Sequence, residues 1–222
     1  MMGDINQLIF VKKNINRIKG PILEVGSKDY GNTQNLRPLF PYYEYIGVDM
    51  EDGPGVDVVL DLTNDLDIIN KVLGYKKFKT IFCFSVLEHC SNPFKFCNNL
   101  QEILDQDGII FISAPFSWRI HGYPSDYWRF TPEGIKILFS ELKFDMNDAN
   151  LTSTRFGSCE PVNDYMLRAE LDISKARKRK VYSNFTIFII RVLKKFKILP
   201  WISEHPYLFP PVNINMIGVK KQ

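Results

Sequence analysis

The 222-residue chain has no Cys-x-x-Cys pair, no apolar run of bilayer length, and no basic head followed by an apolar core at its N-terminus. Its four cysteines, Cys83, Cys90, Cys97 and Cys159, are scattered, and Cys83 lies inside a strand-like apolar run. This spacing argues against a disulfide framework or a zinc site, even with His89 beside Cys90, so reduced thiols and no metal are expected. The opening Met1-Met2-Gly3-Asp4-Ile5-Asn6 reads as no leader, which makes the cytoplasm the expected location. Glycine is scarce in the first loop, Gly26-Ser27-Lys28-Asp29-Tyr30-Gly31. Lys28 stands where a dinucleotide fingerprint needs a second glycine, and Asp29 would repel a phosphate, so a nicotinamide-dependent enzyme is disfavoured. Acids are missing between Lys175 and Lys197, where nine basic residues fall, leaving 19 basic against 25 acidic residues elsewhere.

What is present is an alternation of strand and helix patterns. At 45% hydrophobic residues the chain can bury a sizeable core and fits one α/β domain. Asp4 can cap a first helix whose apolar positions are Ile5, Leu8, Ile9, Ile15 and Ile18, expected to lie as a lid on the sheet. Strands are expected at Pro21–Val25, Glu44–Asp49, Val56–Leu62, Thr80–Ser85, Gly108–Ser113 and Leu142–Asn147, with helices at Leu66–Leu73 and Pro93–Leu104. The order implies a mostly parallel sheet covered on both faces, with ligands at the carboxyl ends of its strands.

Gly26 after the first strand allows a sharp turn or a close approach to a ligand. Asp49 ends the second strand 23 residues later, an offset that suits a carboxylate meeting ribose hydroxyls. Asp61 ends the third, where it can accept from an adenine amino group with Leu62 packing on the ring; a solvated acid at a strand end is the plainer alternative for both.

The ordered set Leu23-Glu24-Val25-Gly26, Gly47-Val48-Asp49, Asp61-Leu62, Ser85-Val86-Leu87-Glu88-His89, Asn92-Pro93 and Ile112-Ser113-Ala114-Pro115 resembles the class I S-adenosylmethionine-dependent methyltransferases with Leu-Glu-His after the fourth strand. The resemblance covers about residues 20 to 148 and the last strand. It implies a Rossmann-like sheet of seven strands, mostly parallel with an antiparallel last strand, helices on both faces, and a helical insertion before that strand. One domain over 1–222 would comprise an N-terminal helix (1–20), a cofactor-binding core (20–152), the insertion (153–210) and a final strand (211–222). By position, Glu24 and Gly26 would cradle the methionine end of S-adenosylmethionine, Asp49 the ribose, Asp61 and Leu62 the adenine, and Ser85 the pocket after the fourth strand. The first loop departs from the usual two or three glycines.

After the fifth strand comes Phe116-Ser117-Trp118-Arg119-Ile120-His121-Gly122-Tyr123-Pro124-Ser125-Asp126-Tyr127-Trp128-Arg129-Phe130, and then Thr131-Pro132-Glu133 as the start of a helix. Such a loop over the carboxyl end of a sheet is where specificity resides. It resembles the His-x-x-Pro-x-Asp-Tyr-x-Arg-Phe-Thr-Pro element of methyltransferases linked to cell-surface glycan or small-metabolite modification. For a hydroxyl acceptor, His121 is the first candidate general base and His89 the second, with Asp126 orienting a histidine or holding the hydroxyl. Arg119, Tyr127 and Arg129 are candidate substrate contacts; a structural Asp126–Arg129 pair is the alternative for the last. The expected acceptor is a small molecule, an oxygen of a sugar or glycan precursor foremost, with a silent cofactor-binding or assembly module as the rival. In the insertion, Asn184, Arg191 and Lys195 form a polar stripe beside a wide apolar face. The stretch 175–201 then packs on the enzyme, pairs with a second subunit as a homodimer, or makes peripheral contact with an anionic inner membrane surface. No stacking platform accompanies the basic run, so no nucleic acid is expected.

Overall fold

A computed structural model describes residues 2–31, 34–122, 125–147, 151–155, 158–161, 184–196 and 212–221. The chain begins with α1 (Met2–Lys13) and a short turn of 3₁₀ helix at Ile15–Arg17. Pro21 and Gly26 then bound an apolar run that can only be satisfied inside a sheet, β1 (Ile22–Val25). It lies between two parallel neighbours, β2 (Tyr45–Asp49) and β4 (Phe78–Phe84). The remaining elements are β3 (Val58–Val59), α2 (Leu66–Val72), α3 (Pro93–Ile103), β5 (Leu104–Pro115), α4 (Pro132–Leu138), β6 (Leu142–Phe144), β7 (Leu151–Arg155), β8 (Ser158–Pro161), α5 (Asn184–Lys195) and β9 (Asn213–Lys220).

The sheet runs β3-β2-β1-β4-β5-β9-β7-β8, and β6 shares the free edge of β9 with β7. Strands β3 to β5 are parallel to their neighbours, and β9 enters antiparallel against β5, as expected of the last strand. The seven-stranded frame carries nine strands because the sixth position is split. β6 pairs with Leu142 opposite Lys220, β7 resumes with Leu151 opposite Met216, and β8 folds back on β7 as a hairpin edge. The third strand is shorter than its β-branched run suggested. Asp57 stays bonded to β2, its N–H donating to Gly47 O at 2.8 Å, but its carboxylate rather than a backbone carbonyl takes the Gly47 N–H, at 2.7 Å, and pairs with Arg37.

One sheet face packs Ile22, Tyr45, Phe82, Phe111 and Ile217 against Phe10 and Val11 of α1. Its aromatic rings meet at centroid distances of 5.4 Å (Phe82–Phe111) and 5.6 Å (Phe10–Phe111). The alternate residues Leu23, Val25, Ile81, Cys83, Ile110 and Ile112 are buried on the other face, and Phe96, Cys97, Leu100 and Ile103 are buried on α3. The first helix does lie on the sheet, and of its marked apolar residues Ile18 is buried and Leu8 and Ile9 pack against the core. Ile5 and Ile15 are exposed, while Asn6, Gln7, Phe10, Val11 and Asn14 are buried. α3 and α4 both start on a side-chain cap, the second as the sequence implies: Asn92 accepts from Lys95 N–H at 3.2 Å and Thr131 from Gly134 N–H at 3.1 Å, each followed by a proline that needs no partner.

By their contacts the residues form two units, 1–161 with 212–222, and 162–211. In the second, α5 exposes Phe185, Phe188, Ile189, Arg191 and Lys195. The basic run at 175–180 and Trp201 lie outside the described residues. Among the described residues no helix is long and apolar enough to cross a membrane.

Candidate active site

Two polar stations occupy the carboxyl edge of the parallel strands. The first is built where β1 ends. Gly26 adopts φ +73°, and its N–H and that of Ser27 both reach Val48 O, at 2.9 and 3.1 Å. The chain therefore doubles back over β2, bringing Lys28 N–H to Asp49 Oδ2 at 3.2 Å. Asp49 Oδ1 accepts Glu51 N–H at 3.1 Å, so each carboxylate oxygen keeps further acceptor capacity. Lys28 also finds its place: its ammonium pairs with Glu51 at 2.6 Å and lies 5.4 Å from the centre of the Tyr30 ring.

A side chain at Gly26 would be expected to block a ligand more than harm the fold, and the geometry corrects this. An added Cβ would come within 2.5 Å of Val86 Cγ2 at a backbone angle that other residues rarely adopt. Substitution there strains the loop itself.

Glu24 points to the same face as Phe82 and Phe84, and its Oε2 accepts the Tyr45 hydroxyl at 2.8 Å. Arg37 lies 4.9 Å from the centre of the Tyr45 ring and pairs with Asp57. Burial pushes the Glu24 carboxyl up to about 7, against the opposing pull of the Tyr45 hydrogen bond and the Arg37 charge. Across a small cleft, Glu24, Gly26, Gln34 and Gln7 supply polar walls, and Leu36, Phe82 and Phe84 apolar ones. Gln7 reaches from α1 to donate to the Ser85 hydroxyl at 2.9 Å and the Ser113 hydroxyl at 3.2 Å, joining the ends of β4 and β5. Tyr45, Arg37, Gln34 and Gln7 carried no motif in the sequence; only the shared strand face links Tyr45 to Glu24. Asp61 takes both the N–H and the hydroxyl of Thr63, at 2.8 and 2.7 Å, while Leu62 is buried and its carbonyl accepts from Asn99 at 2.8 Å.

The second station forms where β4 ends. Ser85 is held at φ +54°, and the chain enters a single 3₁₀ turn, Leu87–His89. The loop after β5 is fastened to this turn: Tyr127 N–H donates to Glu88 O at 2.7 Å and the Trp128 indole to Cys90 O at 2.8 Å. That fastening brings His89 and His121, which the sequence offered as alternatives, together with Asp126. The two imidazole rings meet edge to face with centroids 5.1 Å apart. His89 Nδ1 lies 2.6 Å from Ser125 O, and His121 Nδ1 lies 3.0 Å from Asp126 Oδ2 and 3.3 Å from Arg119 O.

Asp126 also accepts the His121 N–H at 2.8 Å, and the Arg129 guanidinium holds its carboxyl well below the usual range. Arg129 donates to both Asp126 oxygens and to the carbonyls of Trp118, Arg119 and Trp128. Its fork is therefore spent inside the loop, which favours the structural alternative for this arginine. Arg119 and Tyr127 are exposed beside it.

Glu88 sits beneath the histidines with its side chain 2% exposed, and burial pushes its carboxyl up to about 8. Its Oε2 finds no partner among the described residues. Burial also lowers the pKa of His89.

This sheet order, with an antiparallel last strand and the first-strand glycine turn, is the class I S-adenosylmethionine-dependent methyltransferase fold. Solved structures bear this out. A methyltransferase of Archaeoglobus fulgidus dependent on S-adenosylmethionine matches over 96% of this chain and 94% of its own, at 16% identity and a TM-score of 0.52. The 1,6-didemethyltoxoflavin N1-methyltransferase of Burkholderia thailandensis, solved with its substrate and S-adenosylhomocysteine, matches over 99% and 80%, at 11% identity and 0.53. A candidate methyltransferase of Thermobifida fusca matches over 98% and 81%, at 14% identity and 0.58. No protein-family model and no curated protein matches the chain.

Proposed function

We propose that the chain transfers a methyl group from S-adenosylmethionine to an oxygen of a small polar acceptor, a sugar or glycan precursor. The observation that carries this reading is the convergence, at one sheet edge, of Glu24 near the end of β1 with Gly26 just beyond it, Asp49 as the last residue of β2 and Ser85 just after β4. The donor set suits the cofactor. A carboxylate at Glu24 matches the methionine ammonium, and the two Asp49 oxygens retain capacity for a ribose diol. Bound S-adenosylmethionine supplies a sulfonium-activated methyl.

Transfer is an in-line displacement: the acceptor oxygen forms a bond to the methyl carbon as the carbon–sulfur bond breaks, and the acceptor proton must leave. Most of the work is alignment and exclusion of water. Glu88, His89 and His121 form the acceptor side of this reading, with Asp126 fixing His121, and the exposed faces of Tyr127 and Trp128 offer apolar contact to a sugar ring.

Calorimetry with S-adenosylmethionine and S-adenosylhomocysteine tests the donor side. Both should bind wild-type protein, and Asp49→Ala should weaken binding about 10- to 100-fold, the loss of one to two charge-assisted hydrogen bonds. Binding indifferent to Asp49 would sink the cofactor reading. On the acceptor side, mass spectrometry of sugar and nucleotide-sugar mixtures should show a gain of one methyl; methylation confined to amines or carboxylates would overturn the oxygen assignment.

A further inference from the structure

We propose that Glu88, His89 and His121 bind a divalent transition-metal ion through one carboxylate oxygen and two imidazole Nε2 atoms. The three side chains bring one donor atom each to within 4.8 Å of one another. The tautomers follow from the hydrogen bonds. His89 Nδ1 faces only the carbonyl of Ser125, at 2.6 Å, and His121 Nδ1 faces the Asp126 carboxylate and the Arg119 carbonyl, at 3.0 and 3.3 Å. All three partners are acceptors, so both rings carry the hydrogen on Nδ1 and leave Nε2 with a lone pair. An imidazole fixed through Nδ1–H by a carbonyl or carboxylate is the arrangement that prepares Nε2 as a ligand.

Between them lies the buried Glu88 carboxyl, with Oε1 3.9 Å from His89 Nε2 and Oε2 without a partner among the described residues. A hydrogen bond would be shorter. Metal–ligand bonds of about 2.0 to 2.2 Å require donors about 3 to 3.5 Å apart, so the Glu88–His89 pair closes by about 1 Å or less and the widest pair by up to about 1.8 Å. Nitrogen and carboxylate donors without thiolate suit Zn²⁺, Mn²⁺, Fe²⁺ or Co²⁺ rather than Ca²⁺.

Three protein donors leave coordination positions open. Resting on the methyl-transfer reading, the ion takes the acceptor hydroxyl there and lowers its pKa. The proton passes to solvent, the resulting oxygen anion attacks the methyl carbon, and the carbon–sulfur bond breaks with its electron pair returning to sulfur. Asp126 acts in this scheme as a positioning residue, through His121.

Chelator-stripped full-length protein is titrated with Co²⁺ and with Zn²⁺ by calorimetry, with the Co²⁺ visible spectrum as a second readout and no cofactor or acceptor present. One equivalent should bind, with ligand-field bands and no thiolate charge-transfer band from Cys90. His121→Ala and His89→Ala, checked for folding by circular dichroism, should abolish binding, and Asp126→Asn should weaken it roughly 10- to 100-fold. Glu88→Gln is a buried change, so half-exposed His121 keeps the test alive if that variant misfolds. Absence of stoichiometric binding, binding that survives both histidine variants, or a thiolate spectrum overturns the proposal. Metal binding without methyl transfer would leave the site standing and remove the function; chelator-resistant transfer by metal-free protein would do the reverse.

Discussion

Glu24, half-buried in β1, and Glu88, buried in the turn after β4, are both carboxyls that loss of water raises, to about 7 and about 8. Their surroundings differ in kind. Glu24 has a hydroxyl from Tyr45 at 2.8 Å and the Arg37 charge nearby, and it opens on a cleft. Glu88 has an oxygen with no described partner and two imidazoles above it. A half-buried carboxyl with a hydroxyl donor and a cleft is stable as an acid and ready to meet a cation by losing its proton. One with an orphan oxygen under lone pairs is incomplete until something positive arrives. In the proposed reading the same amino acid thus serves a donor side already satisfied by protein and an acceptor side that is not.

The sharpest way to break this contrast is His121→Ala. If the two sides are separate, turnover should fall about 100- to 10,000-fold while the S-adenosylmethionine affinity measured by calorimetry changes less than about twofold. A matching loss of cofactor affinity would merge the two stations into one. Glu24→Gln tests the other side, and it should weaken cofactor binding roughly tenfold.

The same variant has a pH signature. A folded-state pKa of about 7, above the ordinary carboxyl value of 4.5, means that the native state holds the proton more tightly. Its contribution to stability is fully present below about pH 4.5 and declines as pH rises through 7. Urea unfolding of wild type should therefore lose about 2 kcal/mol from this group between pH 5.5 and 8, and Glu24→Gln should flatten that slope. A slope unchanged in the variant would show that Glu24 is solvated. The smallest effect sharpens the contrast as a control: Thr131→Ala removes the cap of α4, should cost about 1 kcal/mol in the same unfolding assay, and should move neither cofactor affinity nor the pH slope.

The donor side was the more legible in sequence, because strand ends announce themselves. Glu24, Gly26 and Asp49 follow apolar runs whose carboxyl ends must lie together in a parallel sheet. Their partners were not legible. Tyr45 lies 21 residues from Glu24, and Gln7 lies 78 and 106 residues from Ser85 and Ser113. Gln7 was hidden for a further reason: α1 buries Asn6, Gln7 and Asn14 along with Phe10 and Val11, and apolar spacing cannot mark polar residues that face the core. The third strand came out short because the Asp57 carboxylate, not a backbone carbonyl, takes the Gly47 N–H. On the acceptor side, the loop's order of residues brought His121 and Asp126 together on paper, but the buried state of Glu88 depends on a fastening between chain segments 39 residues apart, Glu88 and Tyr127.

That fastening bears on how the acceptor range can change over generations. Arg129 grips the segment before His121 by the carbonyl oxygens of Trp118 and Arg119, which every amino acid carries, and Phe130 N–H holds Pro115 O at 2.9 Å. The identities of the side chains at 118 to 120 therefore contribute nothing to these bonds. In the proposed reading they are positions at which heredity can vary the acceptor while Asp126, Arg129 and the imidazoles stay in place.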